Sequence, residues 1–237
     1  MTNNYYKYTG YIRYVDFKRL DFIIQSIKTY FDNAALKGLD LGCGRGDITF
    51  PLAFFGYKMI GIDISPDNIE AAEIKRKYLA LYKHNPTFSI GDAENLGLEK
   101  ESFDFVVLSE VLEHLKYPEK ALTSINVTLK DGGLLIVTVP NGYGPYSLIY
   151  DQFRNKVVFK IFPKVGISDH VQAFTLPKIC NLIKEVGFEV LKINHSDFIS
   201  FLPLLVKSNI CQYYDCKLAD KLSAQLVSGY YIACRKK

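Results

Sequence analysis

Between Leu36 and Asn141 short apolar runs alternate with longer stretches of helical spacing. Leu36–Leu41, Lys58–Asp63, Thr87–Ile90, Phe103–Ser109 and Leu134–Val139 read as strands. Several are continuously apolar, as expected of strands buried on both faces of a parallel sheet. Asp47–Phe55, Ile69–Leu81 and Glu119–Leu129 read as the intervening helices. Ser65-Pro66-Asp67, at the head of the second, supplies a capping hydroxyl, a proline for the first turn and an acid for the positive end of the dipole. Such a series predicts an α/β fold with right-handed crossovers. Past Asn141 the texture changes. Asn141–Pro145 is a turn cluster, Tyr146–Phe162 is aromatic, basic and compatible with a helix, and Leu176–Val186 reads as a helix. Phe188–Asn194 reads as a strand, and a long connection leads to a last strand at Gly229–Arg235. At the other end a Tyr-rich arm precedes an amphipathic helix near Asp16–Tyr30.

Composition narrows the class. With 49% hydrophobic and 23% charged residues and a net charge of +4, collagen-like, disordered and disulfide-scaffold chains are excluded. The five cysteines form no C-x-x-C pair, so neither a zinc ribbon nor a disulfide lattice is expected, and reduced thiols suit a cytoplasmic protein. Apolar stretches such as Phe198–Val206 fall short of the ~20 residues of a spanning helix. Met1–Tyr8 lacks the organisation of a signal peptide.

The sharpest signal is Gly38-Leu39-Asp40-Leu41-Gly42-Cys43-Gly44-Arg45-Gly46-Asp47, the junction of the first strand and the next helix. Ligands bind α/β sheets at the carboxyl ends of their strands, and glycines let a backbone approach them closely. A dinucleotide fingerprint requires G-x-G-x-x-G, but its third position here is Asp47 and the spacing is G-x-G-x-G. Asp40, just ahead of the glycines, repels a pyrophosphate and attracts an ammonium. Asp63 closes the second strand about 20 residues after Gly42, the place for a carboxylate on ribose hydroxyls. A nucleoside with an amino-acid tail satisfies both acids.

These residues resemble the class I S-adenosylmethionine-dependent methyltransferases, in particular the ubiquinone-biosynthesis O-methyltransferase-like branch. The likeness is carried by LDLGCGRG (39–46), GIDIS (61–65), GDAENL (91–96), FDFVVLSEVLEHL (103–115) and GGLLIVTVPNGYG (132–144). It covers 36–141 well and 169–190 more weakly; Asp131 stands where relatives usually have proline. It implies a Rossmann-like, seven-stranded, mostly parallel sheet with the last strand antiparallel and helices on both faces. It also implies one methyltransferase domain over 1–237: an arm (1–35), a cofactor-binding core (36–141) and helical substrate-lid segments (142–175 and 196–228). By the same resemblance Asp40, Gly42, Cys43, Gly44 and Gly46 hold the methionine end of S-adenosylmethionine. Asp63 takes the ribose diol, Ile64 packs on adenine, Asp92 and Ala93 meet the adenine amine, and Ser109 and Glu110 line the space toward the acceptor. Arg19 is the candidate for the methionine carboxylate. The product is S-adenosylhomocysteine.

Transfer from a sulfonium needs chiefly in-line positioning and desolvation, but a hydroxyl acceptor also needs a base. His170, beside Asp169 as its orienting partner, is the first candidate and His114 the second; His84 and His195 read as surface or loop residues. Glu110-x-x-Glu113-His114 is only superficially like an H-x-x-E-H metal motif, and no metal is expected. Residues 37–140 carry a net charge of −4 and the remainder +8. Lys156, Lys160 and Lys164 recur at four-residue spacing among aromatics, so 151–164 is a candidate contact for an anionic or lipid- or glycan-linked substrate or for a membrane surface. Of 17 tyrosines only four lie in 37–140, which points to the outer segments as material for a substrate cavity. A net charge of +4 without an interleaved basic and aromatic module argues against nucleic acid, as does Ser109-Glu110-Val111-Leu112 where amino-methylating DNA enzymes carry an Asn/Asp-Pro-Pro-aromatic run. O-methylation of a small or lipid- or glycan-linked molecule is the leading expectation. The alternatives are an N- or protein methyltransferase of the same fold and a non-catalytic cofactor-binding scaffold.

Overall fold

The apolar runs become strands β1 (Lys37–Leu41), β2 (Lys58–Asp63), β3 (Thr87–Ile90), β4 (Phe103–Ser109), β5 (Leu129–Pro140), β6 (Phe188–His195) and β7 (Gly229–Lys236). The structure, a computed structural model, describes residues 7–11, 13–32, 35–79, 85–144, 147, 170–198 and 208–237. The strands form one sheet in the order β3-β2-β1-β4-β5-β7-β6, and β7 alone runs antiparallel to its neighbours. The order reverses between β1 and β4, which opens a crevice at their carboxyl ends.

The helices are α1 (Tyr14–Tyr30), α2 (Thr49–Phe54), α3 (Pro66–Leu79), α4 (Pro118–Thr128), α5 (Leu176–Glu185) and α6 (Asn209–Ala219). Strand periodicity of two divides the core. Phe105, Val107, Leu134 and Ile136 pack with Leu20, Ile23, Ile24 and Ile27 of α1 and with Phe50 and Leu52 of α2. Val106, Leu108, Leu135 and Val137 face the other way, against Ala121, Leu122 and Ile125 of α4 and Ile179 and Ile183 of α5. Thr175 caps α5 by accepting from the Lys178 N–H at 3.4 Å.

Three sequence expectations change. β5 begins at Leu129, five residues before the apolar run: Leu129 pairs with Phe103, and the Gly132 turn (φ 70°) is absorbed as an irregularity at the start of the strand. The long connection before β7 contains α6, which packs on α1. His195 is not a surface or loop residue; it ends β6 half-buried, with Nδ1 2.9 Å from the Ala219 carbonyl. His84, Asp169 and the 151–164 segment with Lys156, Lys160 and Lys164 lie outside the described residues. Among the described residues, no helix is long and apolar enough to cross a membrane.

Candidate active site

The glycine loop folds over the end of β2. Gly42 and Cys43 N–H groups donate to the Ile62 carbonyl at 2.7 and 3.0 Å. Gly44, at φ 52°, donates to Oδ2 of Asp63 at 2.7 Å. A Cβ there would meet nothing within 4 Å, so the backbone at Gly44 borders open space, and it is the positive φ that calls for glycine. The other oxygen of Asp63 accepts from the Ser65 N–H at 2.9 Å and the Asn68 amide at 3.2 Å. A carboxylate offers about four lone-pair sites, so Asp63 retains capacity for a ligand hydroxyl.

Asp40 is 1% exposed and accepts from the Thr49 hydroxyl at 2.5 Å, beneath the loop rather than in the open crevice. Burial pushes its carboxyl up to about 7; Thr49 pulls it down and Asp63 pushes it further up. Asp47 is neutralised by Lys75 at 2.8 Å and also takes the Gly10 N–H at 2.8 Å, which ties the N-terminal arm to the loop. Asp63 beside the loop, with Asp40 beneath it when ionised, suits a ligand that is positively charged there. Ile64 is 70% exposed, an apolar side chain left open beside Asp63. Asp92 is exposed and accepts from the Glu94 N–H at 2.9 Å, while Ala93 is buried. Cys43 is buried and burial raises its thiol, so it is a packing group rather than a nucleophile.

A Cβ on Gly42 would come within 2.3 Å of Val111 Cγ2, so the loop abuts the residue that follows Glu110. Glu110 follows β4 with φ 56°, a strained conformation for a side chain of its size. Its carboxylate accepts from Thr138 Oγ1 at 2.8 Å and lies 3.7 Å from Arg19. Ser109, expected beside it, is tied to Thr138 at 2.9 Å and does not line the cavity.

Glu110, Arg19 and His170 share a cavity of about 200 Å³ with Arg13, Asp16 and Asp197. Arg13 grips Asp16 through two bonds of 2.9 Å, and Arg19 adds a third at 3.2 Å. Nε of Arg19 is buried with no hydrogen-bond partner among the described residues, which leaves a donor for an anionic group of a ligand. Tyr11 covers the guanidinium at 5.6 Å. Burial raises the Tyr11 hydroxyl to about 12 against the pull of Arg19.

His170 meets His114 edge-on, with ring centroids 5.0 Å apart. The Val171 and Gln172 N–H groups donate to the Glu113 carbonyl at 2.7 and 2.9 Å, which fixes this segment against the turn after β4. Glu113, His114 and His170 thereby bring one ligand atom each within 4.8 Å of one another, a donor set able to hold a cation that sequence reading passed over. The tyrosines are a further correction. Tyr230 is core, Tyr8 and Tyr11 pack at the arm, and of the described tyrosines only Tyr231 lines this cavity. Asn141, in the turn cluster, is spent on the Ala224 and Val227 carbonyls at 3.1 and 2.9 Å.

The residues fit an adenosine with a cationic amino-acid tail: an open backbone at Gly44, spare capacity on Asp63, exposed Ile64 and an unused Arg19 donor. Comparison with known proteins agrees. A family model described as "Methyltransferase domain" matches residues 12–193. A ubiquinone biosynthesis O-methyltransferase of Cereibacter sphaeroides is 34% identical over 181 residues, covering 72% of this chain and 70% of that one. Among solved structures, an S-adenosylmethionine-dependent methyltransferase of Methanosarcina mazei superposes with TM-score 0.65 at 21% identity, over 89% of this chain and 96% of that one. Magnesium protoporphyrin IX methyltransferase of Synechocystis, solved with S-adenosylhomocysteine, gives TM-score 0.65 at 18% identity, over 100% of this chain and 89% of its own. The two structures share the fold. The chain belongs to the methyltransferase domain family, and it is an S-adenosylmethionine-dependent enzyme.

Proposed function

We propose that this enzyme methylates a hydroxyl oxygen of a small-molecule or lipid- or glycan-linked acceptor. The observation that carries the reading is the junction of Gly42 with the strained Glu110 turn, beside one cavity that also holds His170. The O-methyltransferase name of the relative supports oxygen as the acceptor atom. S-adenosylmethionine supplies an activated methyl group on a sulfonium. Asp63 accepts the ribose hydroxyls, Ile64 and Ala93 flank adenine with Asp92 at its amine, and Gly42–Gly46 bring backbone to the tail. Arg19 turns its free donor to the carboxylate of that tail, and Asp40 supplies negative charge from beneath. His170 takes the acceptor proton, with His114 packed against it.

A second reading rests on the Glu113, His114 and His170 donor set: a divalent cation held there would acidify the acceptor hydroxyl in place of a histidine base. One experiment addresses both readings. Calorimetry with S-adenosylhomocysteine should show binding to the wild type, weakened about 10- to 100-fold by Asp63→Ala, since a charge-assisted hydrogen bond is worth ~1.5–3 kcal/mol. Methyl transfer from labelled cofactor is then measured on hydroxyl, amine and protein acceptors, with and without chelator. Transfer only to amines or protein overturns O-methylation, and transfer abolished by chelator and restored by a divalent salt selects the cation over the base.

A further inference from the structure

The cavity holds three carboxylates, and two are already engaged. Asp16 is held by Arg13 and Arg19, and Glu110 by Thr138 and Arg19. Asp197 differs. It follows β6, is 6% exposed and lines the same cavity. Its backbone carbonyl is used by the Ser228 N–H at 2.8 Å, but no backbone N–H, guanidinium, ammonium or amide donates to its carboxylate among the described residues. The groups around it are the adjoining Ser196 hydroxyl, Asp215, Arg13 and Lys18. Of these, Asp215 takes the Phe198 N–H at 3.1 Å. Lys18 is committed to the Ser196 and Cys216 carbonyls and to Asp220. Burial lifts the Asp197 carboxyl to about 6, with Ser196, Arg13 and Lys18 opposing and Asp215 adding. A buried carboxylate on a cavity, with the Ser196 hydroxyl as its one donor among the described residues, has room for another from a ligand.

Where that ligand group lies follows from the sheet. Glu110 follows β4 and Asp197 follows β6, three positions along in the order β4-β5-β7-β6. At ~4.8 Å per strand the two sites are roughly 14 Å apart along the sheet edge. Asp197 thus lies across the cavity from the Glu110 turn. Arg13 and Lys18 already supply positive charge beside it, so a neutral donor suits the position better than an ammonium, and an anionic group suits it least.

We propose that Asp197 is a specificity residue that accepts a hydrogen bond from a second hydroxyl of the methyl acceptor, at the end of the molecule remote from the methylated oxygen. This rests on the O-methylation reading and assigns the acceptor class: a polyhydroxylated molecule, uncharged where it meets β6.

The test pairs acceptor with variant. Phenols and methyl glycosides are each assayed beside a deoxy analogue lacking the distal hydroxyl. The wild type should prefer the parent by kcat/KM at least 30-fold, in the range expected when a buried group is left without its partner. Asp197→Ala should lose that preference by reacting poorly with the parent and unchanged with the deoxy probe, and the shape-conserving Asp197→Asn, whose Oδ1 still accepts, should lose only part of it. Affinity for S-adenosylhomocysteine should stay within twofold of wild type in both. Equal losses on parent and deoxy probes, or a preference that survives both substitutions, overturn the assignment. A wild type that binds S-adenosylhomocysteine but methylates no hydroxyl probe overturns the O-methylation reading, and this assignment falls with it.

Discussion

Asp40 and Asp63 lie near the carboxyl ends of adjacent strands, yet their surroundings differ. Asp63 is the carboxylate around which the loop is built, with backbone and amide donors on both oxygens. Asp40 accepts from the Thr49 hydroxyl and is otherwise enclosed. Sequence alone put Asp40 on the first strand and Asp63 at the end of the second, as the structure has them; it could not show that the Asp40 side chain is enclosed, because spacing reports position and not enclosure. The raised value of Asp40, about 7 against 3.8, gives its contribution to stability a definite sign. Folding favours the protonated form, so the contribution is fully present below pH ~4 and is lost as pH rises through about 7. Asparagine cannot ionise and still accepts from Thr49. Asp40→Asn should therefore stabilise the ligand-free protein at pH 8 by roughly 1–3 kcal/mol and much less at pH 4. On the proposed reading the same change removes a negative charge beneath the cofactor's tail, so affinity for S-adenosylmethionine should fall. Urea unfolding at the two pH values, with calorimetry beside it, checks both; a variant no more stable at pH 8 contradicts the burial argument.

At the scale of elements, α1, α4, β1 and β4 were legible because each carries an apolar face that is buried. α1 is typical, with Leu20, Ile23, Ile24 and Ile27 buried at helical spacing. α6 was missed for the opposite reason. Its inward residues are Gln212, Asp215, Cys216 and Ala219, while Ile210, Tyr214 and Leu218 face out. The apolar period is inverted, so the pattern points away from the packing. What holds this helix is polar: Gln212 accepts from the Tyr14 N–H at 2.7 Å, and Lys18 donates to the Cys216 carbonyl at 2.7 Å and the Ser196 carbonyl at 3.0 Å. Lys18 thus ties α1, α6 and the end of β6 together behind Asp197. Replacing it with alanine deprives two part-buried carbonyls of their donor. Lys18→Ala should destabilise by about 2–3 kcal/mol, with Lys18→Arg recovering part of the loss. Urea denaturation measures this; an effect below 0.5 kcal/mol, the range of ordinary surface substitutions, would show that α6 is held by other contacts.

For the whole molecule, the sheet order separates two tasks along one edge. β1, β2 and β3 with their following turns carry Asp40, the glycine loop, Asp63, Ile64, Asp92 and Ala93, all within the contiguous stretch from 40 to 93. That contiguity is why the proposed cofactor side shows itself in local motifs. The other side cannot be read so, since Arg13, Glu110, His170, Asp197 and Gln212 meet only after the chain has crossed the sheet and returned. The even net charge of +4 conceals the same division, −4 in 37–140 against +8 outside it. Two tasks built from different elements should be separable by mutation. His170 is fixed by backbone bonds from Val171 and Gln172 to Glu113, outside the stretch that carries the glycine loop, Asp63 and Ile64. His170→Ala should therefore cut turnover about 100-fold or more while leaving the affinity for S-adenosylhomocysteine within twofold of wild type. Asp63→Ala should weaken that affinity first. Single-turnover transfer and calorimetry on the same two variants decide the matter. A His170→Ala enzyme with unchanged turnover removes the histidine from the chemistry, and one that loses cofactor affinity shows that the two sides of the edge are a single site.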